Sequence, residues 1–345
     1  MRILLTGCDG YIGSRLAPRL LSEGHDVVGI DAGFYRSGWL YEPGTAHPKV
    51  RSLDVRELRP ADLMGFDAVV HLAELSNDPL GQLDPDLTER VNHRGSVGLA
   101  KLARDAGVSR FVYASSCSVY GAGTGDWKDE TSPTDPRTAY AHCKVAVERD
   151  VRQLMDERFA PVFLRNATAY GPSPRMRFDI VLNNLAGLAW TRREIALSSD
   201  GSPWRPLVHV EDIASAVVQV LKADRQAVAG ETFNVGSDAQ NFQVREIAHA
   251  VSEAFPGCRL TVGPSNGDDR SYRVRFEKIT RHLPEFRCAW TIERGAAELR
   301  SLFERIGLTS EQFLGRHHTR LLQLRHLLET GQVGPDLFWT AAHSA

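Results

Sequence analysis

The chain has 345 residues, of which 42% are hydrophobic and 24% are charged, and its formal net charge is -2. These values are ordinary for a folded globular protein, and they exclude a global charge field that would recruit nucleic acid or an anionic membrane. The five cysteines are scattered, with no CxxC pair and no metal-ligand spacing. Reduced thiols are therefore expected, and no metal site or disulfide framework is predicted.

Short runs rich in β-branched residues alternate with longer helical patterns through the first half of the chain. The first residues, MRILLTG, enter a strand pattern directly with no signal-peptide pattern before them, so a cytoplasmic protein is expected. This run and the later runs DVVGID, DAVVHLA, RFVYASS and PVFLRNA have the length of buried parallel strands. Helical segments such as SRLAPRLLSEG and VGLAKLARDAG separate them. The alternation predicts an α/β fold with a Rossmann-type, doubly wound parallel sheet.

The rhythm changes after Gly171. The segment FDIVLNNLAGLAWTRR predicts a helix, ETFNVGS predicts a strand that returns to the main sheet, and TRLLQLRHLLETG predicts an amphipathic helix for core packing or a subunit contact. We therefore predict a main domain over residues 1–171, with later returns near 207–236. A smaller C-terminal lobe and a helical tail are predicted over 172–345.

A glycine-rich turn follows the first predicted strand. LLTGCDGYIGS places Gly7, Gly10 and Gly13 where the backbone can approach a pyrophosphate closely at the N-terminus of the first helix. Asp31 ends the second strand, at the distance where a carboxylate reaches ribose hydroxyls and repels a 2′-phosphate. The pattern predicts a site for NAD rather than NADP, with a simple turn residue as the alternative role of Asp31.

Two later segments are predicted to lie along the same dinucleotide. LDVRE offers Asp54 as an acceptor for the adenine amino group, and HLAELS follows the fourth strand and runs beside the cofactor. His71 ends an apolar run, which favours a packed histidine over a ligand. The residues predicted here to bind the cofactor are Gly7, Gly10, Tyr11, Ile12, Gly13, Asp31, Asp54, Val55, Leu72 and Ala73.

Further motifs follow in a fixed order: VNHRGSVGLAKLA, ASSCSVYG, YAHCK, GPSP, LNNLAG and SPWRPLVHVEDIA. With the earlier segments they resemble the extended short-chain dehydrogenase/reductase family, especially its nucleotide-sugar epimerases and dehydratases, from Arg2 to about Ile279. The resemblance implies an NAD-binding Rossmann domain, a substrate-binding C-terminal lobe and a nucleotide-sugar substrate, with UDP or dTDP favoured as the nucleotide. It also implies a homodimer packed through the helices near 93–106 and 138–157.

Tyr140 and Lys144 are four residues apart in a predicted helix, so they share one face. An unperturbed tyrosine has a pKa of about 10 and needs a nearby cation to act as a base at neutral pH. The resemblance implies that Tyr140 removes a sugar hydroxyl proton and that Lys144 also binds the nicotinamide ribose. It assigns the partnering hydroxyl to Ser116, with Ser115 as the alternative, and it places Asn92 near the cofactor unless that residue only starts a helix.

Cys117 and Ser118 stand where dehydratases of the family carry an Asp-Glu pair and decarboxylating relatives carry a glutamate. The absence of these carboxyl groups favours an epimerase that acts at C4, in which a transient 4-keto-sugar receives its hydride back on the other face. The alternatives are a 5,6- or 4,6-type dehydratase with Cys117 in the acid position, and a 4-keto-sugar reductase. For Cys117 itself, the alternative role is a small buried residue at a strand end. A regulator that binds the cofactor without chemistry is a further class, but such a protein is expected to lack Tyr140 or Lys144.

The remaining resemblances concern the substrate. Asn184, with Asn183 beside it, matches the amide that holds the diphosphate, and Arg205 and Arg270 match two arginines of the family, with Arg273 as a substitute for the latter. Three roles are predicted for the aromatic loop 32–45: it covers the cofactor, shapes the substrate pocket or packs in a subunit contact. The predicted substrate contacts are Ser116, Cys117, Asn166, Asn184, Arg205 and Arg270.

Overall fold

A computed structural model describes residues 1–76, 84–121, 126–264 and 271–341. Its strands are β1 (Arg2–Thr6), β2 (Asp26–Asp31), β3 (Lys49–Ser52), β4 (Ala68–His71), β5 (Arg110–Ser116), β6 (Trp127–Lys128), β7 (Ala160–Asn166), β8 (Thr168–Tyr170), β9 (Glu194–Leu197), β10 (Trp204–His209), β11 (Thr232–Val235), β12 (Asn241–Gln243), β13 (Arg259–Val262) and β14 (Arg273–Val274).

The α-helices are α1 (Gly13–Ser22), α2 (Pro60–Leu63), α3 (Pro85–Thr88), α4 (Gly95–Asp105), α5 (Ala139–Arg152), α6 (Val181–Arg192), α7 (Val210–Lys222), α8 (Arg225–Val228), α9 (Val244–Ala254), α10 (Glu277–His282), α11 (Ile292–Ile306), α12 (Ser310–Leu314) and α13 (Arg320–Glu329). A π-helical turn, Glu89–Arg94, precedes α4. No helix within the described ranges is long and apolar enough to cross a membrane.

The main sheet has seven strands in the order β11, β7, β5, β4, β1, β2, β3. Every pairing in it is parallel. The five strands predicted in the first half are confirmed as β1, β2, β4, β5 and β7, and the predicted return of ETFNVGS is the outer strand β11. Strand order reverses between β1 and β4, and ligands of such sheets bind in the crevice beyond the carboxyl ends at this point.

Helices cover both faces of the main sheet, as a doubly wound fold requires. On one face, α1 and α7 pack through Leu16 and Val217 against sheet residues such as Leu5. On the other, α4 and α5 pack through Leu99 and Val147. Because both faces are buried, the strands are apolar throughout, and all seven residues of β7 are buried.

A second core lies beyond Tyr170 and contains residues of α6, α9 and α11. The small sheet β12, β10, β8 lies beside it, and β9 pairs with β13. The predicted helices in FDIVLNNLAGLAWTRR and TRLLQLRHLLETG are confirmed as α6 and α13. How the chain divides into domains stays a prediction.

The last described residues return to the main sheet. Leu324 and Leu327 of α13, together with Val333 and Leu337, form a cluster with Phe34 from the loop after β2. The predicted amphipathic tail therefore packs inside the chain, next to the carboxyl end of β2.

Candidate active site

A cavity of about 1150 Å³ opens at the carboxyl ends of the main sheet and extends toward α6 and β10. A typical small-molecule pocket is about 300–1,000 Å³, so this cavity can hold a dinucleotide and part of a second ligand. The cavity brings together most of the predicted site residues, namely Gly7, Gly10, Tyr11, Ile12, Gly13, Asp31, Asp54, Val55, Leu72, Ala73, Ser116, Tyr140, Lys144, Asn166, Asn184 and Arg205. Arg270 lies outside the described residues.

The glycine-rich turn is closely packed. Gly7 has a φ of +71°, and a Cβ on Gly13 would lie 2.1 Å from the carbonyl oxygen of Gly7. Helix α1 begins at Gly13, so the positive end of its dipole lies at this turn, whose residues line the cavity. This turn fits the pyrophosphate of a dinucleotide, because it exposes backbone amides where a side chain would block the approach.

Asp31 lies at the end of β2, as predicted. Its carboxylate accepts hydrogen bonds from the backbone N–H groups of Asp9 (3.1 Å) and Gly33 (2.8 Å). Desolvation in the cavity nevertheless raises the pKa of Asp31. The two amides hold the Asp31 carboxylate in the cavity lining. This geometry fits its predicted role as an acceptor for ribose hydroxyls.

Asp54 and Arg56 form a close pair at the edge of the cavity. The Asp54 carboxylate accepts from the backbone N–H of Arg56 (2.8 Å) and from its guanidinium (2.8 and 2.9 Å). The carboxylate is therefore oriented before any ligand binds, and its predicted contact with adenine stays a prediction.

Asn92 lies behind the cavity lining, and its predicted position near the cofactor stays a prediction. It is fully buried, accepts from the Leu75 N–H (2.8 Å) and donates to the Leu75 carbonyl (3.0 Å). The π-helical turn directs this side chain onto the HLAELS backbone. Asn92 acts on the site through Leu75, which does line the cavity.

Tyr140 and Lys144 face the cavity from the first turns of α5. Thr138 caps this helix, because its hydroxyl accepts from the Ala141 N–H (3.2 Å). The Lys144 ammonium lies 5.3 Å from the centroid of the Tyr140 ring. The predicted shared face is confirmed, and the ammonium is close enough to stabilise a phenolate.

Glu74 is a site residue that the sequence prediction missed. One of its carboxylate oxygens lies 2.6 Å from Nζ of Lys144, and the other accepts from the hydroxyls of Tyr113 (2.6 Å) and Ser96 (3.2 Å). Burial lowers the pKa of Lys144, but Glu74 and Tyr140 outweigh this effect and raise it above its ordinary value. The feature of the sequence that could have identified Glu74 is a lone carboxylate directly after the apolar run DAVVHLA.

Ser116 and Asn166 are neighbours across the β5–β7 pairing. The Ser116 hydroxyl accepts from the Ser118 N–H (3.1 Å), which leaves its own proton for a ligand. Oδ1 of Asn166 and Oγ of Ser118 are buried and have no hydrogen-bond partner within the described parts of the chain. Since both residues line the cavity, hydroxyl groups of a bound sugar would satisfy them.

Cys117 is not found at the predicted substrate position. Its side chain is 1% exposed, does not line the cavity, and donates to the carbonyl of Arg165 (3.2 Å). Burial raises the pKa of the thiol, so it stays protonated. The tight turn Cys117–Tyr120 explains the difference, because it directs residue 117 into the core and residue 118 toward the cavity.

The neighbouring amides of α6 have different roles. Asn184 lines the cavity and donates to the carbonyl of Phe178 (2.9 Å), whereas Asn183 is fully buried and joins Gly171 (3.0 Å) to Tyr11 (3.2 Å). Arg205 also lines the cavity and donates to the carbonyl of Trp204 (2.8 Å).

Loop 32–45 contributes Phe34 and Tyr35 to the cavity wall. The loop is held by the segment after β8, since Leu40 donates its N–H to the carbonyl of Pro174 (2.8 Å) and Arg175 donates to the carbonyl of Tyr35. These contacts favour the pocket-shaping alternative for this loop.

The fold also brings Cys8, Asp9 and His47 within 4.8 Å of one another beside the glycine-rich turn. The sequence did not predict this group, because His47 comes from the segment that follows loop 32–45. Burial, with the charges of Asp9 and Asp31, raises the pKa of the Cys8 thiol, and we assign no ligand to the group.

Comparison with known proteins places this geometry among nucleotide-sugar enzymes. A profile described as the NAD dependent epimerase/dehydratase family matches residues 3–236. The UDP-glucose 4-epimerase of Mycolicibacterium smegmatis is 34% identical over 270 residues, which cover 74% of this chain and 82% of that protein.

Two solved structures share the fold over nearly their whole length. The structure of TunA, an NAD-dependent NDP-hexosamine 5,6-dehydratase involved in tunicamycin biosynthesis, is 26% identical with a TM-score of 0.77 and covers 88% of this chain and 98% of its own. MoeE5 in complex with UDP-glucose and NAD is 26% identical with a TM-score of 0.75 and covers 88% and 99% of the two chains. The chain therefore belongs to the NAD dependent epimerase/dehydratase family, and it is an enzyme with NAD as its cofactor.

Proposed function

We propose that the protein is a nucleotide-sugar epimerase that inverts C4 through a transient 4-keto-sugar. The observation that carries this proposal is the state of the carboxylates in the cavity. Among the described lining residues these are Asp31, Asp54, Glu74 and Asp179. Asp31 is held by backbone amides, and the other three pair with Arg56, Lys144 and Arg177 respectively.

Loss of water from a sugar needs an acid and a base at the carbons that become unsaturated. The positions where family dehydratases carry these groups hold the buried thiol of Cys117 and the hydroxyl of Ser118. Neither is an acid–base group at neutral pH in this environment. Epimerisation needs only one proton carrier at the C4 oxygen, and Tyr140 can supply it.

NAD, held by the glycine-rich turn and Asp31, would supply the acceptor and donor of the C4 hydride. Tyr140, as phenolate, takes the C4 hydroxyl proton, and Ser116 donates a hydrogen bond to the same oxygen. Lys144 stabilises the phenolate by its charge. The 4-keto-sugar then turns in the cavity, C4 receives its hydride on the other face, and Tyr140 returns the proton, so the product is an isomer of the substrate.

The substrate assignment is supported by two polar residues of the cavity lining that lie outside the glycine-rich turn. Asn184 and Arg205 supply an amide and a guanidinium, and a guanidinium suits a diphosphate. The likeness to MoeE5, whose structure contains UDP-glucose and NAD, supports a UDP-sugar. The likeness to TunA supports a dehydratase as the second candidate.

The test is product analysis with a panel of UDP- and dTDP-hexoses, followed by NMR and mass spectrometry. We expect a product of unchanged mass with inverted configuration at C4. Loss of one water would establish the dehydratase instead, and net consumption of added NADH would establish a reductase.

Tyr140→Phe removes the proton carrier and keeps the ring. Turnover should fall by at least ~100-fold, while NAD binding measured by calorimetry should be retained. Tyr41→Phe is the matched control, because Tyr41 lies outside the cavity lining. Full activity of the Tyr140 variant would overturn the catalytic assignment.

A further inference from the structure

The segment 316–341, here called the C-terminal segment, packs beside the cavity and contributes Arg320 to its lining. It lies outside residues 3–236 that match the family profile. Gln323 donates to the carbonyl of Phe34 (2.9 Å), and Trp339 donates to the carbonyl of Ala32 (2.6 Å). Both carbonyls come directly after Asp31, so the segment is attached at the predicted ribose end of the dinucleotide site.

Arg320, the first residue of α13, extends from this segment into the cavity lining. It is 3% exposed, and its guanidinium lies 3.9 Å from the centroid of the Tyr35 ring. Within the parts of the chain that the structure describes, the guanidinium makes no hydrogen bond and no ion pair.

The nearest charges do not supply a counter-ion for Arg320. Asp179 is engaged by both arms of the Arg177 guanidinium (2.9 and 3.0 Å). Tyr35, Asp179 and, more weakly, Asp31 favour the charged form of Arg320, and Arg177 adds repulsion. Burial, with this weak compensation, lowers the pKa of Arg320.

A guanidinium that faces a cavity without a carboxylate or carbonyl partner leaves its N–H donors available to whatever occupies that cavity. Five N–H donors in a planar fork match the oxygens of a phosphate group. The arrangement therefore resembles a receptor that is completed by an anionic ligand.

We infer that Arg320 binds the diphosphate of the dinucleotide, and that the C-terminal segment forms the outer wall of the cofactor site. The cavity has two ends where a diphosphate could lie. Arg320 lies against Tyr35, and its segment is attached to Ala32 and Phe34 just after Asp31, whereas Asn184 and Arg205 come from α6 and β10. The inference depends on NAD binding and not on the C4 reaction, so either can fail without the other.

The test is calorimetry on NAD-free protein with ADP-ribose, adenosine and UDP as ligands. For Arg320→Gln we expect the affinity for ADP-ribose to fall roughly 10- to 100-fold, the range for hydrogen bonds to charged groups. Adenosine and UDP should bind as to the unmodified protein. The matched control is Arg325→Gln, since Arg325 is an exposed arginine on the same helix, and it should bind all three ligands normally.

The melting temperature of the ligand-free protein separates binding from packing. Because Arg320 has no acceptor there, Arg320→Gln should melt at the same temperature or higher, and Arg320→Lys should lose less affinity than the glutamine variant. An equal loss for adenosine, or failure of both variants to fold, would show a packing role. A loss for UDP but not ADP-ribose would assign the anion to the nucleotide sugar, and unchanged ADP-ribose affinity would also overturn the inference.

Discussion

Glu74 gives Lys144 a counter-ion inside the cavity before any cofactor arrives. The ion pair is enclosed, with both side chains about 5% exposed or less. A carboxylate so close to the ammonium offsets part of the positive potential that Tyr140 would otherwise experience. Glu74 is thus placed to set how strongly Lys144 favours the phenolate.

Glu74→Gln should shift the pH dependence of kcat/KM. Without the carboxylate, Lys144 stabilises the phenolate more strongly, so the acidic limb of the pH profile of kcat/KM should move to lower pH. The variant should also lose about 3–5 kcal/mol in the free energy of unfolding, because one partner of a buried pair remains unpaired.

The control for that experiment is Glu89→Gln, which removes a carboxylate from an exposed pair with Arg94. It should change stability by less than about 1 kcal/mol and leave the pH profile in place. A Glu74 variant that loses stability without any shift of the limb would show that Glu74 is only structural.

Side chains on one helix could be placed from the sequence, whereas those that depend on a turn or on tertiary pairing could not. The four-residue spacing of Tyr140 and Lys144 fixes their shared face whatever else the fold does. The side chain of Cys117 points into the core and that of Ser118 toward the cavity, because β5 ends in a tight turn that no local pattern predicts. Glu74 was missed because its partners, Lys144 and Tyr113, come from other elements.

At the scale of elements, Gly13 in the glycine-rich turn serves two purposes. It lets helix α1 pack against the turn, and it lets a ligand approach the backbone. A Cβ on Gly13 would meet backbone oxygens of Gly7 and Cys8 at 2.1 and 2.7 Å, and backbone cannot move aside as a side chain can. Gly98, inside α4, offers a contrast, since nothing lies within 4 Å of a Cβ built there.

Gly13→Ala should therefore destabilise the protein by about 1–3 kcal/mol through overpacking and abolish measurable NAD binding. Gly98→Ala should stabilise it by roughly 0.5–1 kcal/mol, because alanine restricts the unfolded chain and suits a helix. Thermal unfolding with and without NAD measures both effects. A Gly13 variant with normal NAD affinity would contradict the proposed path of the pyrophosphate.

The regular elements were largely predictable because their apolar runs must be buried on two faces of one sheet. The docking of the C-terminal segment was not. Its leucine spacing predicts the helix α13, but the contacts of Gln323 and Trp339 join residues about 300 positions apart. Periodicity within a helix carries no information about such partners.

At the scale of the whole molecule, two buried histidines should make stability depend on pH. His71 is held neutral between Thr6 (2.7 Å) and Ser96 (2.8 Å), and burial with Lys144 nearby lowers its pKa to about 3. Burial and Arg320 lower the pKa of His318 to about 4. Both folded-state pKa values lie below the ordinary value of about 6.5, so the unfolded chain binds more protons as the pH falls.

The free energy of unfolding should therefore decrease as the pH falls from about 6.5 to 5, by at most about 1.4 kcal/mol per pH unit for each histidine. Chemical denaturation across this range measures the slope. The slope should be smaller in His71→Gln and in His318→Gln, and unchanged in His249→Gln, whose histidine is exposed. A slope that is the same in all four proteins would refute the assignment to buried histidines.

The attachment of Trp339 to Ala32 also has a consequence for biosynthesis. The two residues are 307 positions apart, and a ribosome adds about 5–20 residues per second. The loop after β2 then waits roughly 15–60 s for its partner to be translated. During that interval the nascent sheet can assemble, but the apolar surface around Phe34 lacks its cover. We expect this surface to be the part of the growing chain that chaperones protect, and cofactor capture to be one of the last events in maturation.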